Sequence, residues 1–195
     1  MGRADGVQII GYVAIIVIVI SLFSLGVSLT GRVTDTGQLN VTIENYANIN
    51  FTTDFIDFGG GSVNAGQSYS ELYTNGTIVN GNWTSPSNSF VIENIGNVNV
   101  TLRLATGKNA DNYIGGTSPL YRYNITNISA AACPGGVAQG TWQDVNTTGQ
   151  GTLIRNPLQY YNDKDDIAIH IWLRVPSDAA GGTKTDTLTA TATAA

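Results

Sequence analysis

An unbroken apolar run near the start of the chain restricts its structure more than any other feature. No charged residue occurs between Asp5 and Arg32, and Ile9 to Leu29 reads IIGYVAIIVIVISLFSLGVSL. About 20 such residues are what a helix needs to cross the hydrocarbon of a bilayer. The Ile and Val content would suit a strand, but strands in compact domains rarely exceed about 10 residues. A helix satisfies its own backbone hydrogen bonds in an apolar medium, so the run predicts one hydrophobic helix. A secretory signal peptide is the competing reading. Its apolar region is normally about 7–15 residues long and ends at a small-residue cleavage motif. Here the run is longer and no convincing Ala-x-Ala site follows, which favours a retained helix. Arg3 and Arg32 flank both ends and Asp5 offsets Arg3, so flanking charge does not set an orientation.

Beyond Arg32 the pattern changes to short alternating runs broken by Gly, Asn and Pro, the spacing of an all-β sandwich or barrel. Expected strands are Gln38–Glu44, Ile49–Phe58, Tyr69–Val79, Ser89–Glu93, Val98–Ala105, Leu120–Ile125, Gly151–Ile154, Ile167–Val175 and Thr183–Ala192. The clearest is DIAIHIWLRVP, where Ile167, Ile169, Ile171, Leu173 and Val175 alternate with Ala168, His170, Trp172 and Arg174. Period two means one buried face. No segment after residue 32 shows a convincing helical period. The expected organisation is a leader and hydrophobic helix over residues 1–31, then an all-β domain over 32–195. That domain is a single antiparallel β-sandwich, immunoglobulin-like or jelly-roll. One internal echo stands out: Ile43 to Thr52 (IENYANINFT) resembles Ile92 to Thr101 (IENIGNVNVT). Both read as strand, Asn-rich turn, strand.

Only 12% of residues are charged and the formal net charge is -5, with nine Lys+Arg spread thinly. No basic stripe exists to follow a phosphate backbone, which excludes a nucleic-acid partner. Polarity comes instead from Thr, Ser, Asn and Gly, as in many exported β-proteins. The single cysteine, Cys133, sits in a turn-like Cys-Pro-Gly-Gly stretch and cannot form a disulfide within the chain. It is an unpaired thiol or one half of an intermolecular bridge.

The most specific chemical signal after the helix is eight Asn-x-Ser/Thr sequons, at Asn40, Asn50, Asn75, Asn82, Asn99, Asn124, Asn127 and Asn146. On an exported domain they are acceptors for N-linked sugar. The loop Asn162-Asp163-Lys164-Asp165-Asp166 offers alternating oxygens, so Asp163 and Asp165 are candidate Ca²⁺ ligands. It lacks the glycine and closing glutamate of an EF-hand, and a solvated turn is the plainer reading. No catalytic residue is expected. The only histidine, His170, falls out of phase with the buried isoleucines and reads as a surface side chain, so a Cys133–His170 pair has little support. Gly59-Gly60-Gly61-Ser62 lacks the Lys of a phosphate loop and reads as a bulge or turn. Trp83, Trp142 and Trp172 are candidates for a sugar-binding platform, with packing as the alternative.

The leader MGRADG, with Arg3 and a small residue before a long hydrophobic helix, resembles the class III leader of archaeal type IV pilins. That resemblance implies a cut after Ala4 or Gly6 and assembly through the helix; the acidic residue that many pilins carry early in the helix is missing. FVIENIGNVNVTLRLA, IDFGGGSV and TDTLTATATAA look like immunoglobulin-like domains of archaeal envelope proteins and are similar to TasA-type biofilm fibre proteins. In the TasA-type group a segment of one subunit completes the sheet of the next, which would make Val33–Ile43 a donor. The expected role is a non-catalytic surface structural protein, either a filament subunit partnered by copies of itself or a domain anchored in membrane lipid through residues 9–29. An adhesin or carbohydrate-binding module is the alternative, and a virion envelope protein is a minor one. Class III processing predicts that protein from the native surface fraction starts at Asp5 or Val7 by N-terminal peptide mass. A start at Met1 or Gly2 counts against that cut, and one beyond Leu29 makes the run a signal peptide.

Overall fold

The computed structural model describes residues 12–20, 35–84, 86, 88–128 and 140–195. Two units are each compact, Met1–Ile43 and Glu44–Ala195. In the first, residues 12–20 form helix α1, exposed along its whole length. The rest of the Ile9–Leu29 run lies outside the described residues. Among the described residues, no helix is long and apolar enough to cross a membrane.

The second unit is all-β and built of two antiparallel sheets. Its strands are β1 (Ile49–Thr53), β2 (Tyr69–Tyr73), β3 (Ile78–Val79), β4 (Phe90–Asn94), β5 (Val100–Thr106), β6 (Leu120–Asn127), β7 (Gln143–Asp144), β8 (Thr152–Leu158), β9 (Asp166–Pro176) and β10 (Leu188–Ala194). A one-turn helix, α2 (Ala110–Tyr113), follows β5. Sheet I holds seven strands with β9 inside it, and sheet II runs β10-β5-β8. One edge of β9 pairs with β6 from Leu120↔Arg174 to Asn127↔Ile167. Its other edge is shared, first by β4 (Phe90↔Ile169 to Glu93↔Asp166) and then by β2 (Tyr69↔Pro176 to Tyr73↔Trp172). At the junction Thr74 takes over both backbone groups of Ile171. Its N–H donates to the Ile171 carbonyl at 3.1 Å, and its hydroxyl accepts from the Ile171 N–H at 3.1 Å.

Alternation in β9 sends Ile167, Ile169, Ile171 and Leu173 inward, where they join Ile92, Tyr123 and Ile125 of sheet I and Val100, Leu102, Leu104, Ile154 and Leu158 of sheet II in one buried cluster. Two asparagines tie the chain where it passes from β4 to β5. Asn94 Nδ2 donates to the carbonyls of Val98, Leu158 and Gln159 at 2.9, 3.2 and 3.1 Å, so a sheet I side chain holds the end of sheet II. Asn97 clasps the entry to β1. Its Nδ2 donates to the Glu44 carbonyl (2.9 Å), its Oδ1 accepts from Tyr46 N–H (2.6 Å), and its own N–H donates to the Tyr46 carbonyl (2.9 Å).

Several strand expectations need correction. Gln38–Glu44 forms no strand: it is exposed and has no ladder partner among the described residues. Tyr69–Val79 is a hairpin and not one strand: Asn75-Gly76 turns it, with Gly76 at φ +90° and Tyr73 N–H donating to the Thr77 carbonyl. That left-handed φ is open to glycine and strained for most other residues. The last strand starts at Leu188, and the residues before it meet the chain just after β5 through single contacts. Thr187 accepts from Gly107 N–H, and Thr185 accepts from Lys108 Nζ. The two-residue β7 and the short α2, capped by Asn109 Oδ1 on Asn112 N–H, carry too few residues to show a period.

Ile169 is fully buried. Ile169→Ala should lower unfolding stability by about 2–5 kcal/mol in urea titration, as large-to-small core changes do. Thr191→Ala, on the exposed side of β10, should stay within about 0.5 kcal/mol.

Candidate functional site

The face of β9 opposite the core carries His170, Trp172 and Arg174. Pairing brings Glu71 and Tyr73 of β2 alongside Arg174 and Trp172 on one side, and Arg122 and Asn124 of β6 alongside Trp172 and His170 on the other. Tyr73 and Trp172 stack at 5.5 Å and 13°, and Trp142 meets both edge-on at 5.9 and 5.6 Å. The Arg122 guanidinium lies 5.3 Å from the Trp172 ring centre and pairs with Asp144 at 2.6 Å. Arg174 lies 4.5 Å from the Tyr69 ring and gives Glu71 Oε1 two hydrogen bonds, from Nη2 at 2.7 Å and Nε at 3.1 Å. Each guanidinium therefore has both an aromatic face and a carboxylate. Burial, then the hydrogen bond to Glu71, pushes the Tyr73 phenol up to about 12.

Of the three tryptophans considered for a sugar platform, Trp142 and Trp172 come together and Trp83 lies apart. Trp83 packs over Gly61 and Gly81, where any Cβ would run into its ring. The faces of Trp172 are engaged by Tyr73 and Arg122, so the cluster acts chiefly as cross-strand packing.

A cleft of about 580 Å³ opens beside β1 and the segment leading into β10. Phe51, Phe55 and Phe90 give it apolar walls, and Asp54, Asp57 and Asp186 supply carboxylates. Tyr113 lies on it and packs against Tyr121 at 5.0 Å. Burial, reinforced by the negative charge of Asp186, pushes both phenols above their usual range.

His170 is half-buried; its Nε2 sits 2.9 Å from Thr126 Oγ1, and burial pulls its pKa down. Cys133 lies outside the described residues. Asp165 is buried and Asp163 exposed. The Asp165 carboxyl is pushed up by burial and then by the charges of Asp166 and Asp163, while its backbone carbonyl accepts from Asn94 N–H at 2.8 Å. Among the described residues, no three or more His, Cys, Asp or Glu stand together as a metal would need. Arg155 gave no sequence signal. It lies in the interior with Nη2 on Asn127 Oδ1 at 3.3 Å, and its Nε and Nη1 have no partner. Such a charge costs several kcal/mol.

The sequons fall into two settings. Asn40, Asn50, Asn75 and Asn82 are exposed, and Asn99, Asn124, Asn127 and Asn146 are half-buried. No protein-family model matches this chain, and no curated protein or solved structure is similar enough to count as a match.

The raised Tyr73 gives a pH dependence. The fold holds the neutral phenol, so its contribution is complete below the ordinary value of about 10 and is lost as pH rises through about 12. The urea midpoint should fall across that window, and Tyr73→Phe should make the fall shallower, since the other raised tyrosines still titrate.

Proposed function

We propose that this chain is a non-catalytic structural subunit of an extracellular filament. It is pilin-like in assembling through its hydrophobic helix, and it carries an immunoglobulin-like or jelly-roll β-sandwich as its outer part. The observation that carries this reading is α1. Its described residues are apolar all round, and its large side chains are 56–68% exposed. A helix without a polar face is at rest only among lipid tails or other apolar helices.

A second surface supports assembly from copies of itself. Leu39, Val41 and Ile43 alternate in sequence along an exposed segment, at 95%, 82% and 82% exposure. Drawn out as a strand they would share one apolar face, the kind of segment that completes a neighbour's edge. The cleft beside β1 has apolar walls to receive it. The all-round apolar helix also suits lipid, which keeps a membrane-anchored surface glycoprotein or adhesin as the second reading.

Electron microscopy and sedimentation of full-length protein from the native surface fraction separate the two. Filaments that still pellet in mild detergent are expected, and deletion of residues 9–29 should leave monomers only. Full-length protein that detergent releases entirely as monomer, with no filament in the surface fraction, would overturn the filament in favour of the anchor.

A further inference from the structure

On the reading of this chain as exported, we propose that the fold divides its eight sequons into two sets. Asn40, Asn50, Asn75 and Asn82 accept an N-linked saccharide, and Asn99, Asn124, Asn127 and Asn146 do not.

The acceptor atom is Nδ2. In the transfer it bonds to the anomeric carbon of a saccharide carried on a lipid-linked phosphate. The carbon–oxygen bond to that phosphate breaks, the phosphate leaves with the electron pair, and one Nδ2 proton passes to water. A transferase must therefore reach Nδ2, and the folded protein must leave room for the product.

Asn75 meets both needs. It is exposed in the β2–β3 turn, and its Oδ1 accepts from Thr77 N–H of the same sequon at 3.0 Å. That bond fixes the carboxamide by its oxygen and turns Nδ2 away from the backbone. Asn82 is likewise exposed and held by its oxygen, which accepts from Ser62 N–H at 2.6 Å. Asn50 is on the exposed side of β1, which among the described residues pairs with β4 alone and ends sheet I. Asn40 is exposed and alternates in sequence with Leu39, Val41 and Ile43, so in a strand its sugar would point away from their face.

The other four are closed in different ways. Asn146 shares the Oδ1 bond to its own sequon with Asn75, but it is half-buried and its acceptor atom Nδ2 is engaged, donating to Thr152 Oγ1 at 3.3 Å. Asn127 holds Arg155, and turning its carboxamide outward would strip that buried guanidinium of its hydrogen bond. The Oδ1 atoms of Asn99 and Asn124 are buried without a hydrogen-bond partner. Asn124 also sits directly across the β6–β9 ladder from His170. A saccharide at any of the four requires the local packing to open, so the folded population lacks it whether transfer comes before or after folding.

Site-by-site glycopeptide masses of full-length protein from its native surface fraction test this, together with Asn75→Gln and Asn124→Gln. The expected result is saccharide at all four open sites and only unmodified peptide at the four closed ones. Asn75→Gln should lower the intact mass by one saccharide, and Asn124→Gln should change it only by the substitution. Saccharide at Asn99, Asn124, Asn127 or Asn146 in the folded protein overturns the division. So does an unmodified Asn75. A wholly unmodified chain that still forms filaments overturns this inference and leaves the structural role standing.

Discussion

The fold depends on both edges of β9 being occupied at once. β6 covers one edge, and β4 and β2 divide the other. A strand paired on both sides and buried on one face has little freedom of register, since a slip of one residue would turn its isoleucines to solvent. The junction between β4 and β2 would otherwise leave Ile171 with two unsatisfied backbone groups, and Thr74 meets both. Sheet II attaches to this frame through the shared core and through Asn94, which reaches three carbonyls.

How far the sequence revealed this structure depended on how strongly each segment alternates. β9 was legible almost residue for residue, because Ile167, Ile169, Ile171 and Leu173 keep strict alternation, although Ala168 is buried out of phase with them. The all-β character and most strands followed from the same pattern. The Tyr69–Val79 hairpin was merged into one strand even though Asn75-Gly76 is a strong hairpin signal, because apolar residues resume directly after it. Gln38–Glu44 alternates as well as any strand in the chain. Alternation reports a face suited to burial and cannot say whether a neighbour in the same chain covers it.

The repeated motif shows what sequence similarity conceals. The later copy is strand, turn and strand, whereas in the earlier copy only the end joins a strand. The two copies also touch: Ile49 pairs with Asn94, and Asn97 holds Glu44 and Tyr46. On the outer face the individual residues were visible in the sequence, but their combination was not. Nothing in the order of the chain places Arg122 between Trp172 and Asp144, since residues from β6, β7 and β9 meet only through pairing. Sequon accessibility was hidden for the same reason, because the triplet is local and its setting is not.

The Asn97 clasp has a mechanical consequence. A pull on the N-terminal segment enters the β domain at Glu44 and Tyr46, where three hydrogen bonds converge on one residue. A ladder opened from its end fails one rung at a time. Tension along the chain meets the Glu44 bond and the two Tyr46 bonds before it reaches the first β1–β4 rung, Ile49 with Asn94, so breaking the clasp is the first yielding event. Resistance to force is set by the rate of that event rather than by equilibrium stability. One asparagine in a turn thus acts as a strain relief between a tether and the body it holds.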